Sequence, residues 1–141
     1  AVTSKHSSEL TITEYIFCFF GFLVWLAGFI IEVVSDNQKK KFKEDISNKD
    51  KFISHGLWAW SRHPNYFGEI LLWIGITIIA IPIFKNWDYL ALISPIFIYY
   101  LLVNVSGIPM LERAADQKWG NNEDYISYKN KTNILFLKKP D

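Results

Sequence analysis

The sequence predicts an all-α fold, an integral membrane helical bundle of about three spanning helices plus cytoplasmic amphipathic segments. Three observations predict it. Half of the 141 residues are apolar and the mean hydropathy is +0.10, which is high for a water-soluble globular chain. The apolar residues gather in long runs instead of the one-sided stripes of a water-exposed helix. The basic residues collect beside alternate ends of those runs, the asymmetry that orients membrane proteins. A soluble bundle is disfavoured, because so short a chain has too few amphipathic helices to wrap three rods that are apolar all round.

The first span is expected near residues 12–34, where only Thr13, Glu14 and Glu32 interrupt the run; at about 1.5 Å per residue it crosses a hydrocarbon core of about 30 Å. It is too long for the apolar core of a signal peptide, and no small-residue cleavage pattern follows. Gly21 and Gly28 share one of its faces, with Ala27 close by, and invite another helix to approach closely. Cys18 is the single cysteine, which rules out an internal disulfide and a cysteine-based metal cluster, and no metal is expected. A cytoplasmic loop, 36–63, follows; the stretch from Asp36 to Asn65 carries Lys39, Lys40, Lys41, Lys43, Lys49, Lys51 and Arg62. Phe42 and Ile46 give its start a weak helical pattern. The second span is expected near 66–84, ended with the help of Pro82, and the third near 89–109, with a kink at Pro95. The turn between them holds only Lys85 as a basic residue, whereas the tail 110–141 holds six. Loop and tail are therefore placed on the cytoplasmic side and the Lys85 turn on the other. Glu112 to Lys131 reads as a broken amphipathic segment with a turn at Gly120-Asn121-Asn122. The whole of 1–141 is one membrane domain. Its formal net charge of +1 gives no indication of nucleic acid as a partner. The start at Ala1 instead of Met, with a polar lead of about ten residues running straight into a span, is expected of a fragment.

The run Ser61 to Glu69, SRHPNYFGE, carries the chemistry. Pro64 suits the first helical turn, since its fixed φ fits and its missing N–H costs nothing there. The second span then starts near Arg62 and His63. Backbone N–H groups without partners and the helix dipole favour an anion at such a start by roughly 0.3 to 2 kcal/mol. Arg62 can grip a phosphate through two parallel hydrogen bonds. Asn65, Glu69 and Trp73 recur every four residues on one face, with Tyr66 beside them. An ionisable group within a span costs on the order of 2.5 to 3.5 kcal/mol at the midplane and less near the interface. Glu69 is therefore either functional or paired, and two readings stand: a ligand site, or an interfacial belt in which Arg62 snorkels and pairs with Glu69. For Glu32 a structural pair with a basic neighbour is expected.

The stretch Gly56-Leu57-Trp58 followed by SRHPNYFGE and an apolar helix resembles the C-terminal region of steroid 5-alpha-reductase-like membrane enzymes, including bacterial relatives of unassigned substrate. Asp36-Asn37-Gln38-Lys39 before Phe42-Lys43, then Gly-Leu-Trp, then Ser106-Gly107-Ile108-Pro109 and a terminal Tyr125-x-x-Tyr128 occur in the order of that family. The resemblance implies a bundle that holds NADPH with its nicotinamide directed at a lipid-like steroid or enone substrate, and hydride delivery to a conjugated C=C bond. By the same resemblance Asn65, Tyr66 and Glu69 would contact the nicotinamide and its ribose, with Arg62 and His63 near the phosphates. Asp36 would hold the adenosine or ribose side, supported by Lys40 and Lys43. The family often has arginine at those two positions, and lysine keeps the charge but loses the two-pronged grip. Glu112 and Tyr125 would close the pocket from the C-terminal side, although Glu112 departs from the His or Arg of some members. The groups that grip the substrate carbonyl would lie on upstream helices outside this chain.

Two other readings compete. Isoprenylcysteine carboxyl methyltransferases, which use S-adenosylmethionine, share an Arg-His-Pro-x-Tyr run and a late Gly, Tyr, Tyr pattern matched by Gly120, Tyr125 and Tyr128. A membrane scaffold or lipid-binding protein could keep the same fold without catalysis.

Overall fold

The computed structural model describes residues 2–105 and 107–141, with side chains described from residue 12 onward. Helix α1 spans Val2–Glu44. No proline occurs before Pro64, and the Lys, Gln and Glu residues after Val34 are good helix formers. The helix therefore continues through the first part of the stretch expected as loop. Lys41 and Lys43 in its last turn complement the carbonyl end. At about 1.5 Å per residue α1 is about 65 Å long, twice the hydrocarbon thickness. Its final turns, Asp36 to Glu44, thus stand clear of the bilayer.

The chain leaves α1 through a turn in which the Asp45 carboxylate accepts the Ser47 N–H at 3.0 Å. It returns along α1, where Gln38 Oε1 accepts the Leu57 N–H at 2.9 Å and the Trp58 indole N–H donates to the Ser35 carbonyl at 3.0 Å. Gly56 has φ +61°, and a Cβ there would strike the Gln38 amide. The Gln38 and Gly-Leu-Trp motifs are the two halves of one clasp.

Helix α2 spans Pro64–Ala80, with Pro64 in its first turn and His63 as N-cap, as the sequence predicts. It packs antiparallel to α1. A Cβ built at Gly28 would fall 2.5 Å from the Gly68 carbonyl oxygen, and one at Gly21 would fall 2.7 Å from that of Gly75. The face predicted from Gly21 and Gly28 therefore meets a matching pair, also seven residues apart, and the two backbones touch. A 3-10 turn at Ile81–Ile83, carrying Pro82, ends the span. In the reversal that follows, the Asp88 carboxylate accepts the Lys85 N–H at 3.1 Å.

The third span begins as a 3-10 segment, Asn86–Leu92, becomes α3 at Ile93–Tyr100, loosens into a π-helical stretch at Leu101–Val105 and continues as α4 at Gly107–Trp119. The kink expected at Pro95 is absorbed here: Pro95 falls in the first turn of α3, where no donor is needed. The irregularity lies further on, before Pro109, which can donate no hydrogen bond to the Val105 carbonyl. After a turn at Gly120 and Asn121, helix α5 spans Glu123–Lys131, and the Asn122 side chain caps it by accepting the N–H groups of Asp124 and Tyr125. Residues 132–138 then return as an irregular, bent strap to the mouth of α2.

Among the described residues every regular element is helical, and three stretches, Ile12–Glu44, Pro64–Ile83 and Asn86–Trp119, are long and apolar enough to cross a membrane. The protein is an integral membrane protein with all-α architecture.

Candidate functional site at the mouth of α2

The start of α2 is held by contacts from distant parts of the chain. Ser61 Oγ donates to the Leu135 carbonyl at 2.7 Å and accepts the His63 N–H at 3.1 Å. Arg62 donates its backbone N–H to the Asn133 carbonyl at 2.8 Å and its Nε–H to the Thr132 carbonyl at 3.1 Å. Its Nη1 meets Glu112 Oε2 at 2.7 Å, while His63 Nε2 lies 2.8 Å from Glu112 Oε1. One carboxylate from α4 thus bridges both basic residues. The Arg62 partner is Glu112, not Glu69 as the belt reading has it. Behind Glu112, Lys129 grips both Asp116 oxygens at 2.8 and 2.9 Å, and the Tyr125 hydroxyl donates to Asp116 Oδ1 at 3.2 Å.

Burial first, then the Asp116 and Glu112 charges, push the Tyr125 phenol up to about 12. Burial likewise raises Tyr128 well above the usual phenol range, and its hydroxyl donates to the Trp58 carbonyl. Both tyrosines are neutral donors at physiological pH. Phe52 joins them, its ring 5.3 Å from Tyr125, 5.5 Å from Tyr128 and 5.8 Å from Trp119.

Above this aromatic floor opens a cleft of about 500 Å³, within the range of small-molecule sites. Six basic side chains line it, from Lys39, Lys43, Lys49, Lys51, Arg62 and Lys118, against the acids Asp50 and Glu112. Such a cationic surplus in a concave, half-enclosed space attracts anions. Of the residues singled out from sequence, Lys43, Arg62, His63, Glu112 and Tyr125 line this cleft. Asp36 and Lys40 lie in an adjoining groove that shares Lys39 and Lys43 with it.

Asn65, Tyr66 and Glu69 are not brought into the cleft lining; they follow on α2 toward the membrane interior. Tyr66 reaches Gly107 at the start of α4, where an added Cβ would sit 3.3 Å from its hydroxyl. Gly68, the neighbour of Glu69, packs against the Glu32 backbone across the α1–α2 contact. Among the described residues Glu32 forms no ion pair with a basic side chain, so the partner expected for it is absent there. Asn65 Oδ1 is, among the described residues, the one buried side-chain polar atom with no hydrogen-bond partner.

Sequence reasoning missed Lys39, Phe52, Trp58, Trp119 and Lys118 as cleft residues. Lys39 was legible as one of a run of lysines and as the last residue of the Asp36-Asn37-Gln38-Lys39 stretch, with no role assigned to it. Trp58 was legible as part of the Gly-Leu-Trp motif but not as a cleft residue, whereas Phe52 and Trp119 come from separated parts of the chain and carry no local signal.

Fold and site together define a multi-pass helical membrane protein with a basic, aromatic-floored cleft at one membrane face. The family model described as "Protein of unknown function (DUF1295)" matches residues 1–132, and the chain belongs to that family, which is steroid 5-alpha-reductase-like. The chain is similar to the probable O-methyltransferase ustE of Ustilaginoidea virens, 29% identical over 97 residues, covering 63% of this chain and 34% of that protein. It is also similar to 3-oxo-5-alpha-steroid 4-dehydrogenase 1 of Mus musculus, 32% identical over 62 residues, covering 43% of this chain and 24% of the relative. The enzyme of the same name from Macaca fascicularis is 36% identical over 55 residues, covering 39% and 21%. The match thus spans about a third or less of each of these relatives. No solved structure matches significantly.

Proposed function

We propose that this chain forms the cofactor-binding part of a membrane-embedded, NADPH-dependent reductase that saturates a conjugated C=C bond in a lipid-like substrate such as a steroid or enone. The observation that carries the proposal is the cationic surplus of the cleft. NADPH brings a pyrophosphate and a further phosphate, whereas S-adenosylmethionine brings a sulfonium cation and no phosphate. The charge of the cleft therefore favours the dinucleotide. When bound, NADPH supplies the hydride.

The residues present fit that cofactor. The buried Asn65 Oδ1 has an open acceptor that a carboxamide N–H satisfies. Lys39, Lys43, Lys49, Lys51 and Lys118 hold phosphate charge at the rim, and the floor of Phe52, Tyr125 and Trp119 keeps water from the inner wall. Arg62 and His63 are shared with Glu112, so they shape the wall and the lysines carry most of the phosphate attraction. Asp36 and Lys40 extend the grip along α1, and Tyr66 and Glu69, further along α2, are assigned to the nicotinamide end. Reduction also requires a proton at the α-carbon and an acid at the substrate carbonyl, and this reading assigns both to further helices of the bundle.

A second reading rests on the longest of the matches described above, to a protein named as an O-methyltransferase. Purified protein in detergent or nanodiscs, titrated separately with NADPH and S-adenosylmethionine in a calorimeter, tests the choice. NADPH binding that weakens steeply with salt is expected. Uptake of S-adenosylmethionine with no heat from NADPH would overturn the reductase reading.

A further inference from the structure

The strap 132–138 carries a surface that the cofactor cleft does not use. At its centre Leu135 is buried (3% exposed), while Ile134 and Phe136 on either side are 40% and 59% exposed. The strap is fastened at both ends, by the Arg62 N–H to the Asn133 carbonyl and by the Lys138 N–H to the Trp60 carbonyl at 2.9 Å. Its outward side chains are therefore held in place.

The depth of Phe136 follows from its neighbour. Its ring lies 6.0 Å from Phe67, in the first turn of α2. The next residue, Gly68, packs against the Glu32 backbone, close to where the apolar run of α1 ends at Val34. Phe136 thus sits level with the edge of the hydrocarbon. Trp60, beside the strap and 38% exposed, is the kind of ring that favours that level. The flanking residues are Lys131, Lys138 and Lys139, and Asp141 is the sole acid from residue 130 onward.

We infer that the strap is a lipid-reading foot: Ile134 and Phe136 enter the leaflet boundary while Lys131, Lys138 and Lys139 engage anionic headgroups of the same leaflet. Apolar rings at the boundary and a basic fringe at the surface are the two parts of an interfacial anchor. The hydrogen bonds to Arg62 and Trp60 place this foot in direct mechanical continuity with the mouth of α2. Leaflet charge then tightens or loosens the segment that holds Arg62.

The test uses the whole protein in nanodiscs of phosphatidylcholine alone or with phosphatidylglycerol. A fluorophore on Phe136→Cys, in a Cys18→Ala background, is exposed to lipids spin-labelled near the headgroup, with Asn121→Cys as reference. Strong quenching at position 136 and little at 121 is expected. No quenching at 136 in either lipid would overturn the inference, since the strap would then face water or another part of the protein. Hydrogen exchange at the strap amides, free of any label, provides the second arm. Phosphatidylglycerol should raise protection in the unmodified protein by about five-fold per lysine engaged, and Lys138→Gln with Lys139→Gln should abolish most of that rise. A rise that persists in the double variant would overturn the role of the lysines.

Discussion

Among the described residues, nothing donates to the buried Asn65 Oδ1, and an acceptor left in that state costs about 1–3 kcal/mol. A ligand donor that meets it recovers that cost, and removing the group removes it too. Asn65→Ala is therefore expected to weaken NADPH binding by about 1–3 kcal/mol while leaving thermal stability unchanged or slightly higher. Calorimetry and a melting curve on the same sample check both halves, and equal affinity in the variant would count against Asn65 as a contact. Tyr125 makes a different prediction. Its phenol ionises at about 10 when free and about 12 in the fold, so folding favours the neutral form. That contribution is complete below pH 10 and is lost as pH rises through about 12. Melting temperatures between those limits should fall more steeply in the parent than in Tyr125→Phe, and parallel profiles would argue against the shift. Sequence pointed to Asn65 by its helical spacing and by family likeness. It could not show that Glu112 occupies Arg62 and His63, because that pairing joins residues about fifty positions apart.

Helix α1 illustrates what periodicity reveals at the scale of an element. Gly21 and Gly28 announced a close contact, and the spacing of Gly68 and Gly75 completes it. Gly28→Leu should push α2 away, because its Cβ would already meet the Gly68 carbonyl oxygen and the Leu72 amide at 2.5 Å. A loss of about 1–3 kcal/mol, the usual range for overpacking, is expected in a reversible unfolding assay, with Cys18→Ala as an unaffected comparison. If Gly28→Leu unfolded at the parent denaturant concentration, the backbone contact would not support the hairpin. The end of α1 was less legible. Hydropathy falls at Val34, but helix propensity does not, and with no glycine or proline to stop it the helix ran on to Glu44. At Pro95 the sequence showed a helix breaker, and only the preceding 3-10 segment reveals that the breaker stands at a helix start.

Across the described residues, the end of α1, the mouth of α2, α4, α5 and the strap gather on one side, with the Lys85 turn at the other end of the spans. We propose that the cleft side is cytoplasmic, as the basic residues predict. A membrane-impermeant thiol reagent applied to intact cells should label Asn86→Cys and spare Ser54→Cys, both in the Cys18→Ala background; the reverse pattern would invert the orientation. The three spans and their order were legible because each is a long apolar run. The cleft was legible in part, since the residues gathered there belong to recognisable motifs at Arg62, His63 and Tyr125. The rest of its aromatic floor was not, because Phe52 and Trp119 meet the Tyr125-x-x-Tyr128 pair only through the return of α5 over the first loop.

The hydrogen bonds from Ser61 and Arg62 to the strap join positions 74 and 70 residues apart. During synthesis, α1 and α2 can pair in the bilayer while the residues that secure the head of α2 are still untranslated. Ser61, Arg62 and His63 then wait, solvated and without their final partners, until the ribosome has passed residue 138. This side of the protein therefore takes its shape only once the strap has been made, so a chain cut short before residue 132 would pair its first two spans and still lack the contacts that secure the head of α2.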